Sequence, residues 1–554
     1  MKLVECVPNF SEGRDQKILD AIADEIRAIK GATLLDVDPG ADTNRTVFTI
    51  VGAPEPVAEA AFQAVKKASQ LIDMSKHSGA HPRMGACDVC PFIPVANMTM
   101  QEAVELSKQV GQRIGEELEI PVYLYENSAR KPEWANLATV RKGEYEALPA
   151  KMEDPEWKPD FGPQKFNAKS GATAVSAREF LIAYNINLNT RDKKKAHDIA
   201  LTIREAGRYA RDEKGKIKRD ANGKKLRQAG LFSNCKAIGW YIDEYNRAQI
   251  SMNLTNYKIT PPHQVLDKVR ELAWKKGIQV TGSELVGLLP KAAILESGKY
   301  YLHKLGESAG LPEKMIIETA VQSMGLDELA PFNLKDKIIE YAIAPEDKLV
   351  DMNLTEFCDE LSTDSPAPGG GSVAALSAAM SGALTAMVAN LTAGKKGYKE
   401  VWDQAKELAE AGQTVKEQAL NAIDADTQAF YDMMDAMRLP KKSEEEKAIR
   451  AEAIQNATKN AILIPLQTLE IAQDAVLLSE KISKIGNSNA LSDAAVGAIN
   501  ANAAAKAAYL NIKINMAAIE DEAWIKQIMQ KADALADKID KLALQVEKAV
   551  CDKL

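Results

Sequence analysis

Two ferredoxin-like α/β (α+β) domains followed by an all-α helical bundle are the fold that this 554-residue sequence predicts. From Lys2 to Glu126, strand-like and helix-like patterns alternate in the order β-α-β-β-α-β with a further α-β, the split βαβ arrangement. A similar order begins again at Glu179. From Leu354 onward Gly and Pro thin out, strand alternation vanishes, and Ala, Leu, Lys and Glu dominate, as in a bundle.

The elements follow in order. KLVECVPN reads as a strand, Asp15 to Lys30 as a helix, and ATLLDVD and RTVFTIVG as two strands. Pro56 to His77 reads as a helix, ACDVCPFIPV as a buried strand, Met100 to Leu118 as a helix, and PVYLYE as a strand. Glu146 to Ala172 is rich in turn formers and reads as a loop. EFLIAYNINLN is then a strand, Ala196 to Arg208 a helix, CKAIGWYIDEYNRAQISMNLTNY a hairpin, and Pro262 to Lys276 a helix; after Gly282 the pattern is ambiguous. RDEKGKIKRDANGKKLRQ, charged and aperiodic, reads as a solvated loop. APEDKLVDMN is the connector into the bundle, so the expected domains are 1–178, 179–343 and 353–554, with 344–352 as linker.

Composition narrows the function. Seventy Lys plus Arg against 78 Asp plus Glu give a net charge of -8, with basic residues dispersed, so no nucleic-acid partner is expected. The N-terminus turns charged before any apolar core of sufficient length and does not read as a signal peptide, which points to the cytoplasm. Sparse, scattered cysteines are expected to be reduced. Ser365 to Gly394 lacks any charged residue, but its few large apolar residues sit among Ala, Ser, Gly and Thr, the composition of a closely packed bundle helix rather than a membrane span.

Three stretches carry chemistry. HSGAHPRMGACDVC has the spacing H-x3-H-x5-C-x2-C, which suits zinc by ligand type. Cys87 and Cys90 lie three apart on an expected strand and should face opposite ways, which counts against a shared metal. His77 is expected to cap the end of a helix. His81, on a connection next to Arg83 and Asp88, suits general acid/base work, with a structural histidine as the alternative. DSPAPGGGSVAAL opens a helix with glycines, leaving free backbone N–H groups for a carboxylate or a phosphate; it lacks the Lys of a P-loop, and a plain linker is the alternative. Asp424 and Asp426 lie roughly 200° apart on one helix, so one is expected inward and one toward water, either as an acid of raised pKa or paired with a partner such as Arg438.

Assembled, CVPNFSEGRD, DTNRTVFTIVG, HSGAHPRMGACDVCPFIPV, PDFGPQKFNAKSGATAVSAREFLIAYNINL, IGWYIDEYNRAQISMNL, SPAPGGGS, DADTQAF, MRLPK and GNSNALSDAAV resemble the formiminotransferase-cyclodeaminase family in its own order. The resemblance implies two linked reactions on tetrahydrofolate as co-substrate, polyglutamylated and without a metal. The formimino group of N-formimino-L-glutamate passes to N5, and N10 then closes on the same carbon with loss of ammonia to give 5,10-methenyltetrahydrofolate. It implies His81 as the transferase catalyst, and a folate-binding loop made of Gly162, Pro163, Gln164, Lys165, Phe166, Asn167, Ala168, Lys169, Ser170 and Gly171. It implies an acid at Asp424 or Asp426 in the deaminase and folate contacts at Gly369, Gly370, Gly371 and Ser372. Asp38 and Arg45, on strand ends, are further substrate-orienting candidates. Ser176, where the family more often has glycine, and the charged insertion from Lys214 to Lys225 depart from the family pattern. The family also implies a homo-oligomer in histidine degradation, with no membrane partner. Two rival readings are a cyclohydrolase-like helical domain, which the family relationship also allows, and a non-catalytic folate-binding assembly protein.

Overall fold

The structure is a computed structural model that describes residues 2–41, 43–79, 81–344 and 348–554; Ala80 of the histidine motif and 345–347 of the expected linker lie outside the described residues. The chain divides into two compact units, one of Met1–Ser297 with Val321–Ala344 and one of Gly298–Ala320 with Pro345–Leu554. The first is a mixed sheet-and-helix unit; the second is all helical.

The first sheet is built from β1 (Leu3–Cys6), β2 (Asn9–Phe10), β3 (Ala32–Gly40), β4 (Arg45–Gly52) and β5 (Cys87–Ala96), with helices α1 (Gln16–Arg27) and α2 (Pro54–Leu71) between them. Both β1 and β2 pair antiparallel with β4 and with β5, so they act as one strand interrupted at Val7 and Pro8. With β3 outside β4, the order is that of a ferredoxin-like sheet. The apolar face, with Val4, Cys6, Phe48 and Phe92, packs on α1 and α2 through Ile22, Ile26, Phe62 and Val65, which recur at helical spacing and are buried.

Beyond β5 the chain adds α3 (Met100–Glu117), with Thr99 and Glu102 in a reciprocal capping box, and β6 (Val122–Glu126). Two short helices, α4 (Leu137–Val140) and α5 (Leu148–Glu153), lie in the long connection that follows. A strand absent from the sequence expectation, β7 (Thr173–Ala177), then inserts parallel between β5 and β6. TAVSA is short, with Val175 its one large apolar residue, yet every residue in it is buried.

The second sheet repeats the motif with β8 (Ile182–Leu188), α6 (Lys193–Ile203), the short pair β9 (Arg208–Tyr209) and β10 (Arg227–Gln228), β11 (Cys235–Ile242), β12 (Arg247–Leu254), α7 (Pro262–Trp274) and β13 (Val280–Val286). Its order β11-β12-β8-β13 is again ferredoxin-like, and β13 resolves the segment left ambiguous after Gly282. The charged insertion is ordered rather than a bare loop. Arg211 donates to the Gly215 carbonyl and Arg219 to the Gly223 carbonyl, while Asp212 and Asp220 each accept two backbone N–H bonds, so the same turn is built twice in tandem.

Helices α8 (Lys291–Leu305), α9 (Glu313–Met324), α10 (Leu334–Lys337) and α11 (Ile339–Ala342) precede the bundle proper, which contains α12 (Leu354–Leu361), α13 (Gly370–Thr392), α14 (Trp402–Arg438), α15 (Glu444–Ile485), α16 (Leu491–Met516) and α17 (Glu522–Cys551). Helix α13 is the uncharged segment. By length and composition α13 and α15 are apolar enough to cross a membrane, but α13 is surrounded by α14, α15 and α16 and buries Ala374, Ala378, Ala386 and Val388 among them. Small side chains on α13 and α16 let these helices approach closely, which is why neither has a strong apolar stripe.

Candidate active sites

The first site lies where β2, β4 and β5 meet. Antiparallel pairing of Asn9 with Val47 brings Asn9 beside Arg45, the first residue of β4. Arg45 donates to the Asn9 side-chain oxygen from Nε at 3.1 Å and from Nη2 at 2.7 Å. Its Nη1 lies 2.6 Å from Asp88 Oδ2 and 3.0 Å from His81 Nδ1. Asp88, at the start of β5, is fully buried; its other oxygen accepts the Met84 N–H, and Arg141 Nη2 reaches Oδ2 at 2.7 Å.

His81 Nδ1 is also 2.7 Å from the Pro82 carbonyl. A guanidinium only donates and a carbonyl only accepts, so one proton position must be chosen, and the shorter contact places the proton on Nδ1, donating to Pro82. Nε2 is then the basic nitrogen, and among the described residues no group binds it. Burial holds the imidazole pKa below its usual value, and the positive charge of Arg45 lowers it further. The ring is therefore neutral at physiological pH, the form a general base needs.

Two expectations about this motif are corrected. Helix α2 ends at Leu71, and His77 follows a 3₁₀ turn at Met74–Lys76 rather than capping a helix with its ring. Its Nε2 donates to the Asn44 carbonyl at 2.9 Å and its Nδ1 accepts from Arg83 Nε at 3.2 Å. Arg83 in turn pairs with Glu144 and Glu146, so His77 and Arg83 brace the loop that carries His81. Cys87 and Cys90 do not face opposite ways: a register shift opposite Asn9 and Phe10 advances β5 by an extra residue, and both thiols enter the core beside Cys6. Cys6 Sγ is 3.6 Å from Cys90 Sγ, and burial pushes the thiols of Cys6 and Cys87 up. The two histidines of the suspected zinc set thus have partners apart from the two cysteines, and among the described residues no group of three or more His, Cys, Asp or Glu side chains is placed to hold a metal.

The loop from Gly162 to Gly171 is pinned to the His81 loop. Ala172 N–H bonds the Met84 carbonyl, Ala86 N–H bonds the Ser170 carbonyl, and Met74 N–H bonds the Lys169 carbonyl. Gly171 has φ +68°, and a Cβ there would lie 2.2 Å from the Met84 carbonyl, so this position requires glycine. Within the loop Asn167 accepts the Ser170 N–H, Tyr145 donates to the Ala168 carbonyl, and the Phe166 ring packs on Tyr145. Gly162, Pro163, Gln164, Lys165, Ala168 and Lys169 remain exposed. The glycines here serve close backbone packing.

Asp38 is not drawn into this cluster: it is exposed on the edge strand β3, opposite Val47. Arg45 lies at the centre, in contact with the catalytic candidate. Sequence reasoning missed Asn9, although it lies in the CVPNFSEGRD stretch, and Arg141; the strand register that delivers Asn9 and the long connection that delivers Arg141 are tertiary facts. Ser176 is fully buried on β7.

The second site lies in the helical unit, where the start of α13 meets α14 and α16. Asp426 on α14 accepts from the Ser372 hydroxyl at 3.2 Å and from its N–H. A Cβ on Gly371 would sit 2.1 Å from Asp426 Oδ1, and one on Gly370 would sit 3.3 Å from Asn511 Nδ2. The expectation of free N–H groups at this turn is thus corrected in part, because Asp426 itself engages Ser372. Gly369 and Gly370 are the open side of the turn, and nothing lies within reach of a Cβ on Gly369.

Neither aspartate points simply to water. Asp424 accepts the Leu349 N–H at 3.0 Å, while Asp426 faces α13, so the angular separation sends them to two different neighbours. Burial raises the pKa of both; backbone N–H bonds and Lys348 oppose the rise at Asp424, and Ser372 opposes it at Asp426. Arg438 pairs with neither and instead contacts Asp435 on the bundle surface.

The two ferredoxin-like repeats place a histidine beside an arginine, and the separate bundle places a buried carboxyl at a glycine turn, two arrangements suited to acid/base chemistry. Three family models match in succession: the formiminotransferase domain, N-terminal subdomain, over 3–178, the formiminotransferase domain over 183–344, and formiminotransferase-cyclodeaminase over 353–534. Formimidoyltransferase-cyclodeaminase of Mus musculus is 42% identical over 96% of this chain and 96% of its own length. Glutamate formimidoyltransferase of Streptococcus pyogenes is 44% identical over 54% of this chain and 93% of its own. Methenyltetrahydrofolate cyclohydrolase of Methylorubrum extorquens is 36% identical over 36% of this chain and 95% of its own. The chain belongs to the formiminotransferase-cyclodeaminase family of bifunctional enzymes.

Proposed function

We propose that the sheet-containing unit transfers the formimino group of N-formimino-L-glutamate to N5 of tetrahydrofolate, and that the helical unit cyclises the product to 5,10-methenyltetrahydrofolate with release of ammonia. The observation that carries the first half is the neutral His81, its Nε2 free of bonds among the described residues, beside a loop pinned to it at Met84. As N5 attacks the formimino carbon it becomes cationic; Nε2 removes that proton and returns it to the departing glutamate nitrogen. Exposed residues between Gly162 and Lys169 receive the folate.

In the second step the amine must leave protonated, and a carboxylic acid with a raised pKa supplies the proton. Asp426 suits this task better than Asp424, because it faces the glycine turn while Asp424 holds the Leu349 N–H. Gly369 and Gly370, the unoccupied part of the turn, take the pterin or its anionic tail. The relationship to a methenyltetrahydrofolate cyclohydrolase supports an alternative in which the helical unit adds water to a methenyl-folate instead of expelling ammonia. The fused transferase favours the deaminase, since it makes the required substrate.

The protein would then act in the cytoplasm, in histidine degradation, as a homo-oligomer on polyglutamylated folate and without a metal. Incubation with tetrahydrofolate and formiminoglutamate tests the proposal: methenyl-folate absorbance and ammonia should rise together. Formimino-folate without ammonia, or neither signal, contradicts it.

A further inference from the structure

Two guanidinium groups share one buried carboxylate oxygen in the first site, and among the described residues no second carboxylate is bonded to either. Arg45 Nη1 and Arg141 Nη2 both reach Asp88 Oδ2, at 2.6 and 2.7 Å. Asp88 Oδ1 is taken by the Met84 N–H. The two guanidinium side chains are only 13% and 14% exposed, so water screens little of the surplus positive charge. The carboxylates nearest in the chain do not supply the balance, because Glu144 and Glu146 are both committed to Arg83.

Arg141 carries a second sign of an absent partner: its Nε is buried and, among the described residues, bonds to nothing. A buried guanidinium N–H without an acceptor is costly, and a guanidinium edge presents Nε and one Nη as a fork fitted to a carboxylate. Arg141 follows α4, whose last turn fixes its backbone through bonds to the Leu137 and Thr139 carbonyls. The guanidinium itself is held by its Nη2 bond to Asp88 before any ligand arrives.

Resting on the transferase reading of this site, we propose that Arg141, with the surplus charge it shares with Arg45, binds a carboxylate of the amino-acid donor substrate beside His81. Arg45 touches His81 and shares the Asp88 oxygen with Arg141, which places the bound carboxylate in the neighbourhood of the His81 ring. The residue selects a donor that carries a carboxylate over a neutral formamidine. A carboxylate from the folate's glutamyl tail has the same chemistry, and the experiment separates the two sources.

Steady-state transfer by the full-length protein is measured for wild type, Arg141→Lys and Arg141→Met, varying formiminoglutamate and tetrahydrofolate in turn. Loss of a charge-assisted bond predicts a KM for formiminoglutamate raised by roughly 10- to 100-fold in Arg141→Met. KM for tetrahydrofolate should stay unchanged, and inhibition by L-glutamate should weaken in parallel. Arg141→Lys, which keeps the charge but loses the fork, should fall between. A KM rise for tetrahydrofolate instead overturns the proposal in favour of the folate tail, and a fall in kcat with both KM values unchanged overturns it in favour of a brace for Asp88. If Arg141→Met fails to fold, an unaltered KM in Arg141→Lys overturns it. Wild type that transfers nothing defeats the transferase reading; calorimetric titration of L-glutamate into wild type and Arg141→Lys then reads the carboxylate site alone, and equal or absent binding overturns it.

Discussion

Arg45 sits 3.0 Å from His81, with its guanidinium against the ring nitrogen that bonds the Pro82 carbonyl. A cation next to an imidazole opposes its protonation, so Arg45 keeps the base unprotonated.

That relationship predicts a pH shift. Transfer needs the neutral ring, and the lowered His81 pKa puts the acidic limb of kcat/KM below that of an ordinary histidine. Arg45→Met removes the charge that opposes protonation, so the limb should move to higher pH, whereas Arg45→Lys should leave it near the wild-type position. A pH–rate profile of the transfer step checks both; an unmoved limb in Arg45→Met contradicts the electrostatic role.

Asp88 is predicted to be a stability residue as well. It is fully buried between two arginines, and removing one partner of such a group typically costs about 3–5 kcal/mol because the remaining charge is stranded. Urea unfolding of Asp88→Ala, followed by a probe in the sheet-containing unit, should show a loss of that order, with the transition of the helical unit unchanged.

Gly371→Ala should separate the two activities. The new methyl would lie 2.1 Å from Asp426 Oδ1, so the carboxyl or the helix start must move. A displacement of about 1 Å in a catalytic group costs on the order of 100-fold. Deamination of supplied formimino-folate should fall by that order while transfer is retained.

The two aspartates should also separate. Asp426→Asn removes the proposed acid and should lower deamination by roughly 10²–10⁴-fold. Asp424→Asn should do less, since an amide oxygen still accepts the Leu349 N–H. Because burial raises the Asp426 pKa, the protonated form persists to higher pH than in an exposed aspartate, and wild-type deamination should decline as pH rises through the raised value. Equal effects of the two substitutions contradict the assignment.

The sequence carried the repeat of β-α-β-β-α-β and the break into helices because hydrophobic periodicity marks both directly. It did not carry β7, whose small buried residues take their strand conformation from parallel neighbours on both sides. His81 was legible as a histidine on a loop ahead of a strand. The company it keeps was not: Asn9 arrives through strand register, Arg141 through the long connection after β6, and the shared facing of Cys87 and Cys90 through a bulge. Helical geometry placed Asp424 and Asp426 on different faces, but only packing showed that one meets Leu349 and the other Ser372.

The account stands on two separate centres in one chain, and His81→Ala examines that most directly. Supplied with tetrahydrofolate and formiminoglutamate, this variant should make no detectable formimino-folate and release no ammonia; supplied with 5-formiminotetrahydrofolate, it should release ammonia and form methenyl-folate at the wild-type rate. Full transfer by the variant, or loss of deamination together with transfer, would contradict the account.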